Sequence, residues 1–65
     1  MTYLQFLRMY SGRKAKDIAK ACQISLPRYS MYERGERRPP HKIQIKLAQL
    51  FSQPRKDIFP YFPYK

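Results

Sequence analysis

Apolar residues recur along this chain at intervals of three and four, and no stretch alternates apolar with polar residues as a half-buried strand would. Leu4 and Leu7, with Tyr3 and Tyr10 as further members of the stripe, predict a first helix running to about Tyr10, where Ser11-Gly12 stops it. Lys14 to Cys22 form a second, with Ala15, Ile18, Ala19 and Cys22 on one face. Gln23-Ile24-Ser25 connects it to a third, from about Leu26 to Arg34. Ser25 suits the N-cap, because its hydroxyl can accept from a free amide of the first turn. Pro27 is tolerable there, since first-turn amides lack helical partners, but it biases Leu26 away from helical angles, so the helix starts at Leu26 or one residue later. Gly35 ends it, lacking the β-carbon that opposes a left-handed conformation after the last turn. Pro39-Pro40 opens a fourth helix, whose Ile43, Leu47, Leu50 and Phe51 fall at i, i+4, i+7 and i+8. Pro54 starts a short fifth with Ile58 and Phe59, and the prolines and aromatics after it cannot continue it. The pattern predicts an all-α domain over residues 1–60 and an aromatic tail over 61–65, with no internal repeat and no linker.

Charge changes this picture from a small helical domain to one with a polyanionic partner. Fourteen Lys and Arg stand against four Asp and Glu in 65 residues, a formal charge of +10. A membrane partner would call for basic residues along one face of a long amphipathic helix, or about 18 consecutive apolar residues. Neither occurs, and Met1 to Tyr10 has no basic segment leading into an apolar run, so the expected location is the cytosol. One cysteine, Cys22, and one histidine, His41, cannot make a disulfide framework or a protein-only zinc site within one chain. Cys22 reads as a small buried hydrophobe beside Ile18, and His41 as a surface residue after two prolines. Four acids, two glycines and one histidine assemble no catalytic triad, carboxylate pair or phosphate loop, so neither an enzyme, a cofactor nor a small-molecule substrate is expected.

Two short helices joined by a three-residue turn in a basic chain suggest a helix-turn-helix. The residues that sharpen this are Ile18-Ala19, Ile24-Ser25, Tyr29, Tyr32-Glu33-Arg34-Gly35, Arg38-Pro39, Leu47-Ala48, Phe51 and Ile58-Phe59. In order and spacing, from Leu4 to Phe59, they resemble the Cro/lambda-repressor helix-turn-helix family. The resemblance implies a compact five-helix fold that docks its third helix in the major groove of double-stranded DNA and rests the N-terminus of its second on the backbone. It also implies a transcriptional regulator, most simply a repressor, of the kind found in phages, mobile elements and chromosomes, with a homodimer on DNA as one arrangement the family uses. Arg8 and Glu33 fall at family positions that are commonly an internal ion pair between helix one and the end of helix three. The chain departs from the family at Ala15, where a glutamine is usual, at Gln23, where the turn usually has glycine, and at Gln53 and Arg55, where apolar residues are common. With Ala15 in that place, a phosphate contact at the start of helix two falls to its backbone amide or to Arg13, Lys14 and Lys16.

If Tyr29 and Tyr32 face inward, Leu26, Pro27, Arg28, Ser30 and Met31 remain for a major groove. Only Arg28 can pair bidentately with guanine, whereas Leu26, Pro27 and Met31 suit thymine methyls. Leu26 and Met31 equally suit a core edge or a protein partner. Ser25 and the cluster Arg34, Arg37, Arg38 and Lys42, at a loop and a helix start, suit phosphate. Tyr61, Phe62 and Tyr64 are too apolar to be left in water and either fold back or form a dimer contact. Competing with a sequence-specific regulator are a helix-turn-helix used as a protein-interaction module, such as an antitoxin or antirepressor, and non-specific nucleic-acid packaging. A turn and cap at defined places argue against the last.

Overall fold

The computed structural model describes residues 2–60, so the aromatic tail lies outside the described residues. The elements are α1 (Tyr3–Ser11), α2 (Ala15–Ala21), α3 (Leu26–Glu33), α4 (His41–Phe51) and α5 (Arg55–Ile58), with no strand among the described residues. The fold is all-α, as the periodicity predicts.

Each helix is delimited by local chemistry. Thr2 caps α1, its hydroxyl oxygen accepting from the Gln5 amide at 3.1 Å, and the same hydroxyl donates to the Glu33 carbonyl at 2.5 Å. One residue therefore starts α1 and ties it to the end of α3. Four helices end in the same way: a residue in the left-handed conformation donates its amide three residues back, and the following amide reaches five residues back. After α1 and α3 that residue is Gly12 or Gly35, each at φ 74. After α2 and α4 it is Gln23 at φ 59 and Ser52 at φ 53. At the α2 end the Gln23 amide donates to the Lys20 carbonyl and the Ile24 amide to the Ala19 carbonyl, both at 3.0 Å. These backbone bonds are those a glycine would allow, formed at a residue whose β-carbon opposes the conformation.

A left-handed conformation costs a residue with a β-carbon about 1–2 kcal/mol, partly offset in a glycine by the extra freedom of its unfolded chain. Gln23→Gly is therefore expected to stabilise the fold by about 0.5 kcal/mol and to raise Tm by about 3 °C. An unchanged or lower melt would mean that the exposed Gln23 side chain contributes more than its backbone strain removes.

The core gathers Leu4 and Leu7 of α1, Ile18 and Ala19 of α2 with Cys22 after it, Tyr29 and Tyr32 of α3, Leu47 of α4, and Ile58 and Phe59. Ile24, the residue after the left-handed Gln23, packs against it, as do Ile43, Leu50 and Phe51 from α4. Tyr3 and Tyr10 do not join this core as expected; they are 41% and 83% exposed. Their positions at i and i+7 align with Phe6 instead, and the three rings make a separate stripe beside Leu4 and Leu7.

The apolar stripe of α4 also hides a polar member. Gln44 is buried, its amide donating to the Pro39 carbonyl at 2.8 Å and its carbonyl accepting from the Arg55 guanidinium at 2.9 Å. Arg55 thus completes a polar link from α5 through α4 to the segment before it.

Candidate nucleic-acid interface

The geometry of the candidate surface begins with how firmly α3 is held. Its inward face is Tyr29, Tyr32 and Glu33, all buried. The Tyr29 hydroxyl is enclosed without a well-formed hydrogen bond, and burial, reinforced by the neighbouring Glu33 carboxylate, pushes its phenol far above the ordinary tyrosine range. Glu33 is in turn engaged by Arg8: Nε donates to Oε2, and Nη2 donates to Oε1 at 3.3 Å. The side chains of this pair are 20% and 9% exposed, so the carboxylate is the more enclosed partner. Arg8 also reaches the Arg13 carbonyl at 3.3 Å, linking α3, α1 and the loop into α2. Held this way, α3 has one face left to offer.

At the start of α3, the Ser25 oxygen accepts from the Arg28 amide at 3.3 Å, and Pro27 occupies the first turn of a helix that does begin at Leu26. Capping uses the Ser25 oxygen and leaves its hydroxyl hydrogen free to donate. Leu26, Pro27 and Arg28 are exposed, whereas Ser30 and Met31 are half-buried. The five candidate reading residues thus divide into an open N-terminal group and a recessed pair. Arg28 carries no ion pair or side-chain hydrogen bond among the described residues.

The basic residues chosen for phosphate divide as well. Lys14, Lys16, Arg37 and Lys42 are exposed, and α2 starts after Lys14 without a side-chain cap, leaving first-turn amides such as that of Ala15 unpaired within the helix. Arg34 is exposed too but holds Glu36 through two hydrogen bonds of 2.7 and 3.1 Å, which keep the Glu36 carboxyl below its ordinary range. Arg13 lies over the Phe51 ring, 5.6 Å from its centroid. Arg38 is half-buried and donates to the carbonyls of Phe59 at 3.1 Å and Pro60 at 3.0 Å. These three guanidiniums have work inside the molecule that the sequence alone did not reveal. A run of arginines is visible in a sequence; a carbonyl twenty or so positions away that one of them will find is not.

Cys22 is buried, and burial pushes its thiol up while Lys46 opposes the shift, so it behaves as a core residue. His41 is exposed at the start of α4. No three His, Cys, Asp or Glu residues converge as a metal ion would need among the described residues. No helix among them is long and apolar enough to cross a membrane.

A comparison with curated proteins finds no match. A protein-family model described as Helix-turn-helix matches residues 4–55, a span from α1 through α4 that reaches the first residue of α5. The buried Tyr29 and Tyr32, the capped entry to α3 and the left-handed turn at Gln23 are thus the local physics of a recognised unit, and this chain belongs to the Cro-type helix-turn-helix family of DNA-binding domains.

Proposed function

We propose that the protein is a sequence-specific regulator of transcription that inserts α3 into the major groove of duplex DNA. The observation that carries this reading is the division of α3. Tyr29, Tyr32 and Glu33 lock one side to the core, while Arg28 stands exposed between the cap and the half-buried Ser30, with Leu26 and Pro27 beside it. An unpaired guanidinium matches guanine O6 and N7, and the neighbouring apolar side chains match a thymine methyl. Ser30 and Met31 contribute where the groove closes over them. Phosphate on either side is met by Lys14, Lys16 and the Ala15 amide from α2, by the Ser25 hydroxyl, and by Arg37 and Lys42 beyond α3. Arg34 joins them where phosphate displaces Glu36. Arg13 and Arg38 contribute through the positions they fix, with any phosphate contact secondary to their internal partners. Bound at a promoter, such a domain acts as a repressor by occupying the sequence polymerase needs, alone or as a homodimer, in the cytoplasm.

The test is a titration against duplex DNA from the promoter beside its own gene and against random duplex, each over a series of salt concentrations. Binding is expected to weaken steeply with salt, each neutralised phosphate adding about 0.9 to the log-log slope, and to retain a preference for one sequence when salt is raised. Equal affinity for all duplexes would favour packaging. Affinity insensitive to salt, or no binding to either DNA, would favour the protein-interaction reading and contradict the proposal.

A further inference from the structure

One aromatic surface has no part in the core or in the reading face. Tyr3, Phe6 and Tyr10 follow one another along α1 as near-parallel rings, with centroids 6.1 Å apart at 13° and then 5.8 Å apart at 19°. They are 41%, 47% and 83% exposed, and with Leu50 and Phe51 of α4 they wall a groove of about 430 Å³. None of Leu26, Pro27, Arg28, Ser30 and Met31 lines it. A patch of this kind on a chain this polar calls for a partner.

We propose that the partner is a single strand of nucleic acid, whose unpaired bases stack on the exposed rings of α1 while its phosphates meet Arg13. Charge selects this occupant over a second copy of the chain. The groove has Arg13 on its wall and no acid, in a molecule of formal charge +10, so a second copy would bring another +10 against the first. A strand instead carries a negative charge and a flat apolar ring in every nucleotide, and each repeat matches both the cation and the rings. The acids do not oppose it: Glu33 and Glu36 are engaged by Arg8 and Arg34, and Asp17 and Asp57 lie outside the groove.

Arg13 is set beside the rings by the fold itself. Its carbonyl accepts from Arg8 Nη1 at 3.3 Å, and its guanidinium lies 5.6 Å from the centroid of the Phe51 ring while the residue stays exposed. A guanidinium held there offers N–H groups to phosphate and a flat face to a base. Ser11, Ser52 and Gln53 add hydroxyl and amide groups to the lining for base edges. Stacking asks only for an open ring face, which every unpaired base supplies, so this surface tolerates any sequence. The bases of a duplex are covered by their neighbours and offer only their edges, which suits α3 and not α1.

The full chain tests this with a short unstructured oligothymidine and an abasic strand of the same length, which keeps the phosphates and lacks the bases. Oligothymidine is expected to bind at least about 5-fold more tightly than the abasic strand and to move the ring protons of Phe6 and Tyr10 upfield in NMR spectra. Equal affinity for the two strands, or binding that leaves those protons in place, would overturn the proposal. Tyr10→Ser changes the most exposed ring and should keep the helical circular dichroism of the natural chain. It should weaken oligothymidine binding by about 5-fold or more and leave duplex affinity unchanged, whereas Arg28→Ala should spare oligothymidine. The strand is measured by itself, so its binding stands or falls separately from duplex recognition by α3. Loss of oligothymidine with Arg28→Ala and not with Tyr10→Ser would put the strand on α3 and overturn the proposal. Self-association without any strand, relieved by Tyr10→Ser, would assign the groove to a second copy and overturn it as well.

Discussion

Replacing Arg8 with methionine is expected to destabilise this domain by about 3 kcal/mol, lowering Tm by on the order of 15 °C. The substitution removes the cation and leaves the Glu33 carboxylate, 9% exposed, against the apolar side of α3 with its strongest partner gone. Glu33→Gln should cost less, about 1–2 kcal/mol, because the stranded group is then the Arg8 guanidinium, which at 20% exposure can turn part of its surface to water. The asymmetry is the informative part, since a pair acting only as a surface bridge would give two small and similar losses. In the double variant no charge is stranded, so its melt should lie above that of Arg8→Met alone. Two small additive shifts would mean that the pair does not hold α1 to α3.

The features legible in the sequence were those with a local physical signature. The stripe Ile43, Leu47, Leu50 and Phe51 identified α4, and Gly12 and Gly35 marked two helix ends, because periodic burial and left-handed glycine leave a trace in residue type. The ends at Gln23 and Ser52 adopt the same backbone without glycine and left no such trace. Tyr3 and Tyr10 were misplaced because an aromatic at helical spacing suits a core and an exposed stack equally well, and which it joins is decided by what packs opposite. Gln44 was not singled out by the apolar stripe; its burial depends on Pro39 and Arg55, whose meeting is a product of the whole fold. For the candidate site, residue type identified an arginine-bearing α3 and its basic flanks. It could not separate the arginines that are free from those that are spent, because Arg13, Arg34 and Arg38 find their partners in a ring, a nearby acid and two distant carbonyls.

That separation bears on how reading and anchoring are divided. Arg28 lies on the open part of α3, within the first turn after Ser25, where a guanidinium can reach a base edge. Arg37 lies beyond Gly35, off the helix and exposed, and is proposed as a phosphate contact. Arg28→Ala should therefore cost about 1–3 kcal/mol on the preferred site, roughly a 5- to 150-fold loss, concentrated at one base pair. Arg37→Ala should weaken all sequences alike and reduce the salt slope by about one. Its neighbour Arg38 should behave differently again: Arg38→Ala releases the Phe59 and Pro60 carbonyls, so its effect appears in the melt as well as in affinity.

The most direct measurement is the affinity of the natural protein, Arg28→Ala and Arg37→Ala for a panel of duplexes carrying every single-base change in the preferred site, at one fixed salt concentration. A protein that reads sequence with α3 should give Arg28→Ala a flattened preference at one G·C pair and Arg37→Ala an unaltered profile at lower affinity. If Arg28→Ala instead lowers affinity equally on every duplex, Arg28 is a phosphate anchor and the account of α3 as the reading helix through that residue is contradicted.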